Sequence, residues 1–173
     1  DPESKLVISW LCGLRSSDWA KVFMADVAKR LSNKVQLTSD GHKAYLVAVE
    51  EAFGNNVDYA MLVKLYGKEQ AGESRYSPPK CIGCRRQSIT GKSNRKDIST
   101  SIVERQNLTM RMSMRRFTRL TNGFSKKIQN LEYAVALHFM YMNFARPHKS
   151  LSNPYPRTPA MAAGLADQIW TCE

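Results

Sequence analysis

The chain of 173 residues is long enough to bury one hydrophobic core, and its 43% of hydrophobic and 24% of charged residues exclude a disordered composition. Its apolar runs are all shorter than a membrane span, and it opens on a polar segment rather than a signal peptide, so we expect a cytoplasmic protein without a membrane partner. The net charge of +11 indicates a polyanionic partner, most often a nucleic acid.

The first half of the chain alternates predicted strands and helices. Residues 5–11 (KLVISWL) form an apolar run that predicts a short strand after the turn at residues 1–4. Apolar side chains at helical spacing predict a helix over residues 19–31. Residues 35–40 predict a strand that ends in an acidic residue, and residues 44–53 predict the next helix.

The second half contains a long polar stretch between periodic segments. Residues 58–66 fit either a strand or a short helix, and residues 67–100 predict a long, partly mobile loop or insertion. Helices are predicted over residues 102–120 and 127–143, where Asn122-Gly123 ends the first of them. The proline-rich tail predicts an extended course before a short helix over residues 159–165.

The excess positive charge is concentrated in residues 85–127, which we call the basic segment. It contains 12 Lys or Arg residues against two acidic residues, Asp97 and Glu104, a balance of +10 within the net charge of +11. A solvated surface would also be basic, but the concentration of charge in one segment favours a face that binds DNA.

Two cysteines form a single CxxC motif, Cys81-Ile82-Gly83-Cys84. Structural zinc needs four ligands, and the chain has neither a second such pair nor a closely spaced histidine pair, because His138 and His148 stand far along the chain. We therefore favour an interpretation without zinc. A zinc-stapled interaction protein built on Cys81 and Cys84 remains the alternative.

Three short motifs and one long run resemble a known family. The motifs are LTSDGHKAY at residues 37–45, TSIVERQN at residues 100–107 and YMNFARPHK at residues 141–149. Together with the run ERQNLTMRMSMRRFTRLTN at residues 104–122, they resemble the DDE-type transposases of the insertion-sequence-one family. More loosely they resemble the retroviral-integrase superfamily, and the likeness extends over essentially the whole chain.

The resemblance implies an α/β, RNase-H-like mixed sheet flanked by helices and a metal-dependent transposase site. It makes Asp40 and Glu104 the second and third catalytic acids and the ligands of Mg²⁺ or Mn²⁺, which suits carboxylates because these ions take oxygen ligands. Between the two acids lie 63 residues, which fits an insertion over about residues 58–97. Taken singly, Asp40 would be a turn former and Glu104 a helix-start residue.

Spacing along the helix that begins near residue 102 predicts a face that contacts DNA, with a solvated helix face as the alternative. Glu104, Asn107, Arg111 and Arg115 are spaced by three, four and four residues, so one helix face would carry all of them. The residues expected to contact DNA are Asn107, Arg111, Arg115, Arg116, Arg119 and His148. His148 has an equally good structural interpretation. The apolar set on this helix, Val103, Met110, Met114 and Phe117, is predicted to be core.

The resemblance places Asp1 in a hairpin, so that the first catalytic aspartate and the opening strands of the family would lie upstream. We therefore expect a partial RNase-H-like catalytic domain over residues 1–146 and a carboxy-terminal tail over residues 147–173. The expected function is that of a transposase fragment, inactive alone, with a catalytically inactive DNA-binding protein as the alternative. The expected partners are DNA and a second transposase chain or copy, in a bacterial, nucleoid-associated setting.

Overall fold

The computed structural model describes residues 1–67, 80–118 and 120–171. The chain divides into two compact units. The central unit is Leu14–Ser101, and the terminal unit comprises Asp1–Gly13 and Ile102–Glu173. Among the described residues, none of the helices combines the length and the apolar character that crossing a bilayer requires.

The central unit is a mixed α/β structure with a three-stranded sheet. Its elements in chain order are α1 (Ser17–Lys29), β1 (Val35–Asp40), α2 (Ala44–Phe53), β2 (Val57–Tyr66) and β3 (Cys81–Thr90). The strand order is β1-β2-β3, with β1 parallel to β2 and β3 antiparallel to it. The coarse α/β prediction is therefore confirmed, together with the predicted α1, β1 and α2.

The core of the central unit lies between the sheet and the two helices. Its buried residues are Ala20, Met24, Ala48, Val49, Val57, Tyr59 and Met61. They come from α1, α2 and β2, and the burial of each large apolar side chain contributes about 1.5–3 kcal/mol to folding. Amphipathic helices of this kind keep a polar face in water and bury the other on the sheet.

The ambiguous residues 58–66 form a strand because β2 is the middle strand of the sheet. Its first residues are buried on both faces, and Ala60 and Leu62 form a second small cluster with Ile98. A strand covered on both faces reads as a continuous apolar run, which periodicity alone does not distinguish from a helix.

The prediction of a loop over residues 67–100 was wrong for the ten residues of β3. This strand pairs with β2 from Tyr59 to Tyr66, yet eight of its ten residues are exposed. With so little of the strand buried, its sequence has no apolar alternation that would have revealed it. Residues 68–79, which belong to the same predicted loop, lie outside the described part of the chain.

The terminal unit is built mainly from helices. They are α3 (Ser101–Ser113), which begins at the boundary with the central unit, α4 (Ile128–Met140) and the short α5 (Pro159–Ala162). The five residues after α4, Tyr141–Ala145, continue as a π-helical turn. The predicted helix over residues 127–143 is thus confirmed for α4, and the last predicted helix is present in shorter form.

The helix α3 is shorter and more exposed than predicted. It ends at Ser113 rather than near residue 120, because Met114 is extended and a 3-10 turn, Arg115–Phe117, follows. None of its residues is buried, and Val103 is 62% exposed, so the prediction of a core position was wrong for Val103. Of the apolar set on this predicted helix, Met110, Met114 and Phe117 are half-buried.

The predicted strand over residues 5–11 is absent, since these residues take part in no β-ladder with any described residue. The predicted turn before it is present, because the Asp1 carboxylate accepts the backbone N–H groups of Glu3 and Ser4, each at 3.1 Å. An apolar run forms a strand only where another strand offers its backbone for pairing. The run itself does not show whether such a strand is present.

Candidate acidic site and nucleic-acid interface

Asp40 is the exposed last residue of β1, where the chain leaves the sheet toward α2. Its Oδ1 accepts a hydrogen bond from the backbone N–H of His42 at 3.0 Å. Gly41 passes close to β2, because an added Cβ would lie 3.3 Å from a methyl group of Val63. The predicted turn-forming role of Asp40 is therefore present in the structure, and it uses one of the two carboxylate oxygens.

Two tyrosines lie close enough to Asp40 for its negative charge to raise their pKa. Burial raises the pKa of Tyr45, and the negative charge of Asp40 raises it further, while Arg15 acts in the opposite direction. Burial also raises the pKa of Tyr59, whose hydroxyl lies 2.7 Å from the Ser39 hydroxyl. Both phenols therefore stay neutral, so neither adds negative charge beside the Asp40 carboxylate.

Glu104 is exposed in the first turn of α3. The preceding segment shapes the start of this helix, because the Ser99 hydroxyl accepts the backbone N–H of Ser101 at 3.2 Å. A carboxylate near a helix N-terminus is favoured by the helix dipole. Asp40 belongs to the central unit and Glu104 to the terminal unit, and the prediction that the two carboxylates share an ion stays a prediction.

The chemistry of both acids fits a hard divalent cation. Mg²⁺ and Mn²⁺ prefer carboxylate oxygens and keep several waters, so an exposed carboxylate is a suitable donor. Within residues 1–67, 80–118 and 120–171, no three His, Cys, Asp or Glu side chains gather as one site. Asp40 and Glu104 are the ligands that the resemblance implies, and that prediction stays untested.

Asn107 and Arg111 lie on one face of α3 as predicted, while their contact with DNA stays a prediction. Both side chains are exposed, and a spacing of four residues in a helix puts them on one face. Arg115 is also exposed, but it begins the 3-10 turn, so helical periodicity no longer aligns it with them. The prediction that Arg115 shares one helix face with Asn107 and Arg111 was therefore wrong, and Arg119 lies outside the described residues.

Arg116 has a structural role in the loop before α4. Its Nη1 donates to the Ser125 hydroxyl at 2.9 Å and to the carbonyl oxygen of Asn130 at 2.7 Å. The half-buried guanidinium thereby ties the loop to the first turn of α4. A DNA contact by Arg116 stays a prediction. Its guanidinium would have to contact a phosphate in addition to Ser125 and Asn130.

His148 also has a structural role, as the cap of the 3-10 turn Lys149–Leu151. Its Nδ1 accepts the backbone N–H of Ser150 at 3.3 Å. Burial lowers the pKa of this imidazole, and the positive charges of Lys5 and Arg146 lower it further. A neutral imidazole gives weaker attraction to a phosphate than a cation would, so the capping role is the better supported one.

The central unit also carries exposed cations of the basic segment, on β3 and after it, and none of them is among the residues that the sequence predicts to contact DNA. Arg85 and Arg86 lie on β3, and three further cations follow the strand. Of the eleven described Lys and Arg residues in the basic segment, the ten exposed ones are Arg85, Arg86, Lys92, Arg95, Lys96, Arg105, Arg111, Arg115, Lys126 and Lys127. The charge of the basic segment indicated these cations as a group. The sequence did not predict that Arg85 and Arg86 lie on an exposed strand.

Comparison with protein family models, with curated proteins and with solved structures found no match to this chain.

Proposed function

We propose that this chain acts on DNA as a domain of a DDE-type transposase with an RNase-H-like fold. In this proposal the basic segment holds the phosphate backbone, and Asp40 and Glu104 hold divalent ions for strand cleavage and transfer. The observation that carries it is the concentration of exposed positive charge: ten of the eleven described cations in the basic segment are exposed, and the segment contains only two acidic residues. Exposed cations release counterions from DNA when they meet phosphates, which is the main source of sequence-independent affinity.

The sheet supports the fold part of the proposal. Two parallel strands, β1 and β2, lie side by side, and Asp40 stands at the carboxyl end of β1. In α/β proteins, the carboxyl ends of parallel strands and the turns after them are where ligands and reacting groups gather. The fold thus offers Asp40 a position suited to ion binding.

Divalent ions, when bound, would steady the attacking and leaving oxygens of the phosphodiester. Asp40 and Glu104 would each contribute carboxylate oxygens. The neutral phenols of Tyr45 and Tyr59 add no negative charge beside the Asp40 carboxylate. Exposed Arg and Lys side chains of the basic segment would orient the DNA backbone.

A catalytically inactive DNA-binding protein is the second candidate. The bond between Asp40 Oδ1 and the His42 N–H favours it, because a turn-forming aspartate explains the residue without any metal. DNA binding by the basic segment is common to both candidates, and only the acidic residues distinguish them.

The experiment compares the wild-type chain with Asp40→Asn, Glu104→Gln and the control Asp18→Asn, which removes an exposed acid from the first turn of another helix. We expect Mn²⁺ affinity to fall at least about tenfold in the first two variants and to be unchanged in the third. Cleavage of labelled duplex DNA with Mg²⁺ or Mn²⁺ is measured in parallel.

Metal binding or cleavage that needs both acids supports the transposase proposal. If the wild-type chain and the variants all bind DNA but neither bind the metal nor cleave DNA, the transposase proposal is contradicted and the inactive binding protein is favoured. A chain that does not bind DNA contradicts both candidates.

A further inference from the structure

The CxxC motif lies on β3, and both of its cysteine side chains are exposed and free. In a regular strand, residues three apart point to opposite faces of the sheet, so the motif alone would separate the two thiols. A β-bulge changes this relationship, because Ile82 is an extra residue without a partner on β2. The pairs around the bulge are Lys64 with Cys84, Leu65 with Gly83, and Tyr66 with Cys81.

The bulge brings Cys81 and Cys84 to one face. Lys64 and Tyr66 are two residues apart on β2 and share a face, and cross-strand partners lie on the same face as each other. Neighbouring positions on a face are separated by about 7 Å between Cα atoms, which lets two side chains converge on one ion. The Cys81 Sγ lies 3.4 Å from the carbonyl oxygen of Gly83, so this side chain turns along the strand toward Cys84.

We propose that Cys81 and Cys84 form half of a tetrahedral zinc site that a second copy of the chain completes. Structural zinc takes four ligands, commonly four thiolates at about 2.3 Å. In the described ranges no group of three or more His, Cys, Asp or Glu side chains is present, so this pair supplies two ligands there. Two copies related by a twofold axis supply four.

The position of β3 supports a second copy as the source of the missing ligands. Among the described strands β3 is an edge strand, hydrogen-bonded to β2 on one side only. An edge strand offers backbone N–H and C=O groups to another chain. Between the two cysteines, the Ile82 side chain is 69% exposed, and pairing of two copies would cover this apolar surface.

Exposed arginines beside the proposed site offset its negative charge. Each cysteine loses one proton when it binds zinc, so four protons leave and the four thiolates exceed the charge of the ion by two. Arg85 and Arg86, which follow Cys84 directly and are exposed, bring positive charge to the same stretch of each copy. The zinc site does not depend on the proposed function, because neither the acids nor the cations of α3 take part in it.

The test titrates the full chain, with its thiols kept reduced, with Zn²⁺ and follows its mass by analytical ultracentrifugation. We expect one zinc per two chains and a dimer that a strong chelator dissociates. Co²⁺ in place of zinc should give the thiolate charge-transfer and tetrahedral bands of a four-thiolate site. Cys81→Ser and Cys84→Ser should each lower zinc affinity at least tenfold and leave the chain monomeric, with the wild-type circular dichroism spectrum.

Cys12→Ser and Cys172→Ser are the matched controls, and both should keep the wild-type stoichiometry and dimer. One zinc per monomeric chain, zinc binding that survives Cys81→Ser, loss of zinc in a control variant, or absence of zinc binding would each overturn the proposal.

Discussion

The side-chain amide of Asn143 hydrogen-bonds both backbone groups of Val7, although the two residues are 136 positions apart in the sequence. Oδ1 accepts the Val7 N–H at 3.1 Å, and Nδ2 donates to the Val7 carbonyl oxygen at 2.9 Å. An amide thereby supplies the donor and the acceptor that a neighbouring strand would offer. This pair joins the π-helical turn after α4 to the segment for which the sequence predicts a strand.

Asn143→Ala should lower the free energy of unfolding by about 2 kcal/mol, because it leaves an N–H and a C=O of Val7 without their partner. Asn143 is only 8% exposed, so water does not readily replace the amide. Urea denaturation followed by circular dichroism measures the change. Asn107→Ala, at an exposed position on α3, should stay within about 0.5 kcal/mol of the wild type. Equal effects of the two substitutions would contradict the role given to Asn143.

A second side-chain amide holds the segment after β3 to the edge of β1. Gln36 Nε2 donates to the carbonyl oxygen of Asn94 at 3.1 Å, and Gln36 Oε1 accepts the Asn94 N–H at 2.7 Å. Gln36→Ala should free this segment and accelerate trypsin cleavage after Lys92, Arg95 or Lys96 by about fivefold, the equivalent of about 1 kcal/mol. Mass spectrometry of the fragments measures the rates. Gln129→Ala, exposed on α4, is the control, and cleavage unchanged by Gln36→Ala would refute the prediction.

Gly91 is required where the chain turns out of β3. Its φ is +72°, and an added Cβ would lie 2.0 Å from Asp58 Oδ1. That carboxylate accepts the Lys92 N–H at 2.8 Å and pairs with Lys34, so Gly91→Ala should displace both bonds. We expect a loss of at least about 2 kcal/mol in thermal or urea unfolding. Gly83→Ala, whose Cβ would meet nothing closer than 3.9 Å, should be neutral or stabilising, and an equal loss there would count against this explanation.

The two histidines of the terminal unit should make stability depend on pH. Burial lowers the pKa of both His138 and His148 from the ordinary value of 6.5, and the charge of Arg146 lowers it further in each case. The folded state therefore favours the neutral imidazoles. Their contribution to stability is fully present above 6.5 and is lost as the pH falls below it, because the unfolded chain then binds more protons.

The measurement is the urea midpoint of unfolding between about pH 7 and about pH 5.5, a range in which histidine is the main side chain that titrates. The wild-type midpoint should fall with pH, and the fall should be smaller in a His138→Gln, His148→Gln double variant. A wild-type midpoint that is flat or rises with acidity would contradict the expected sign.

The sequence predicts helices and strands whose apolar residues recur at a regular spacing. It misses elements whose formation depends on contacts with other parts of the fold. The helices α1, α2 and α4 have an apolar face at helical spacing, so their existence was predictable. The strand β3 is exposed over most of its length and has no such pattern. The early end of α3 depends on contacts after it, since the Thr118 hydroxyl binds the carbonyl oxygen of Arg111 at 3.2 Å.

The candidate site was predictable in its residue types and less so in its contacts. The sequence alone identifies the basic segment as an exposed charged region, because Lys and Arg side chains are ordinarily exposed wherever they occur. Spacing did not reveal that Arg116 binds Asn130 or that His148 caps a turn, since both bonds depend on the local fold. The same holds for the bulge at Ile82, which only the register of β3 on β2 reveals.

The most direct test of the central claim is the salt dependence of DNA binding by the full chain. The logarithm of affinity for a labelled duplex, plotted against the logarithm of salt concentration, should fall steeply and depend little on sequence. Arg111→Ala with Arg115→Ala should flatten the slope by about two, roughly one for each arginine that no longer neutralises a phosphate. Lys29→Ala with Arg30→Ala removes the same charge from exposed positions on α1 and its end, and it should keep the wild-type slope. Identical slopes in all three proteins, or binding that salt does not weaken, would contradict a DNA-binding role for the basic segment.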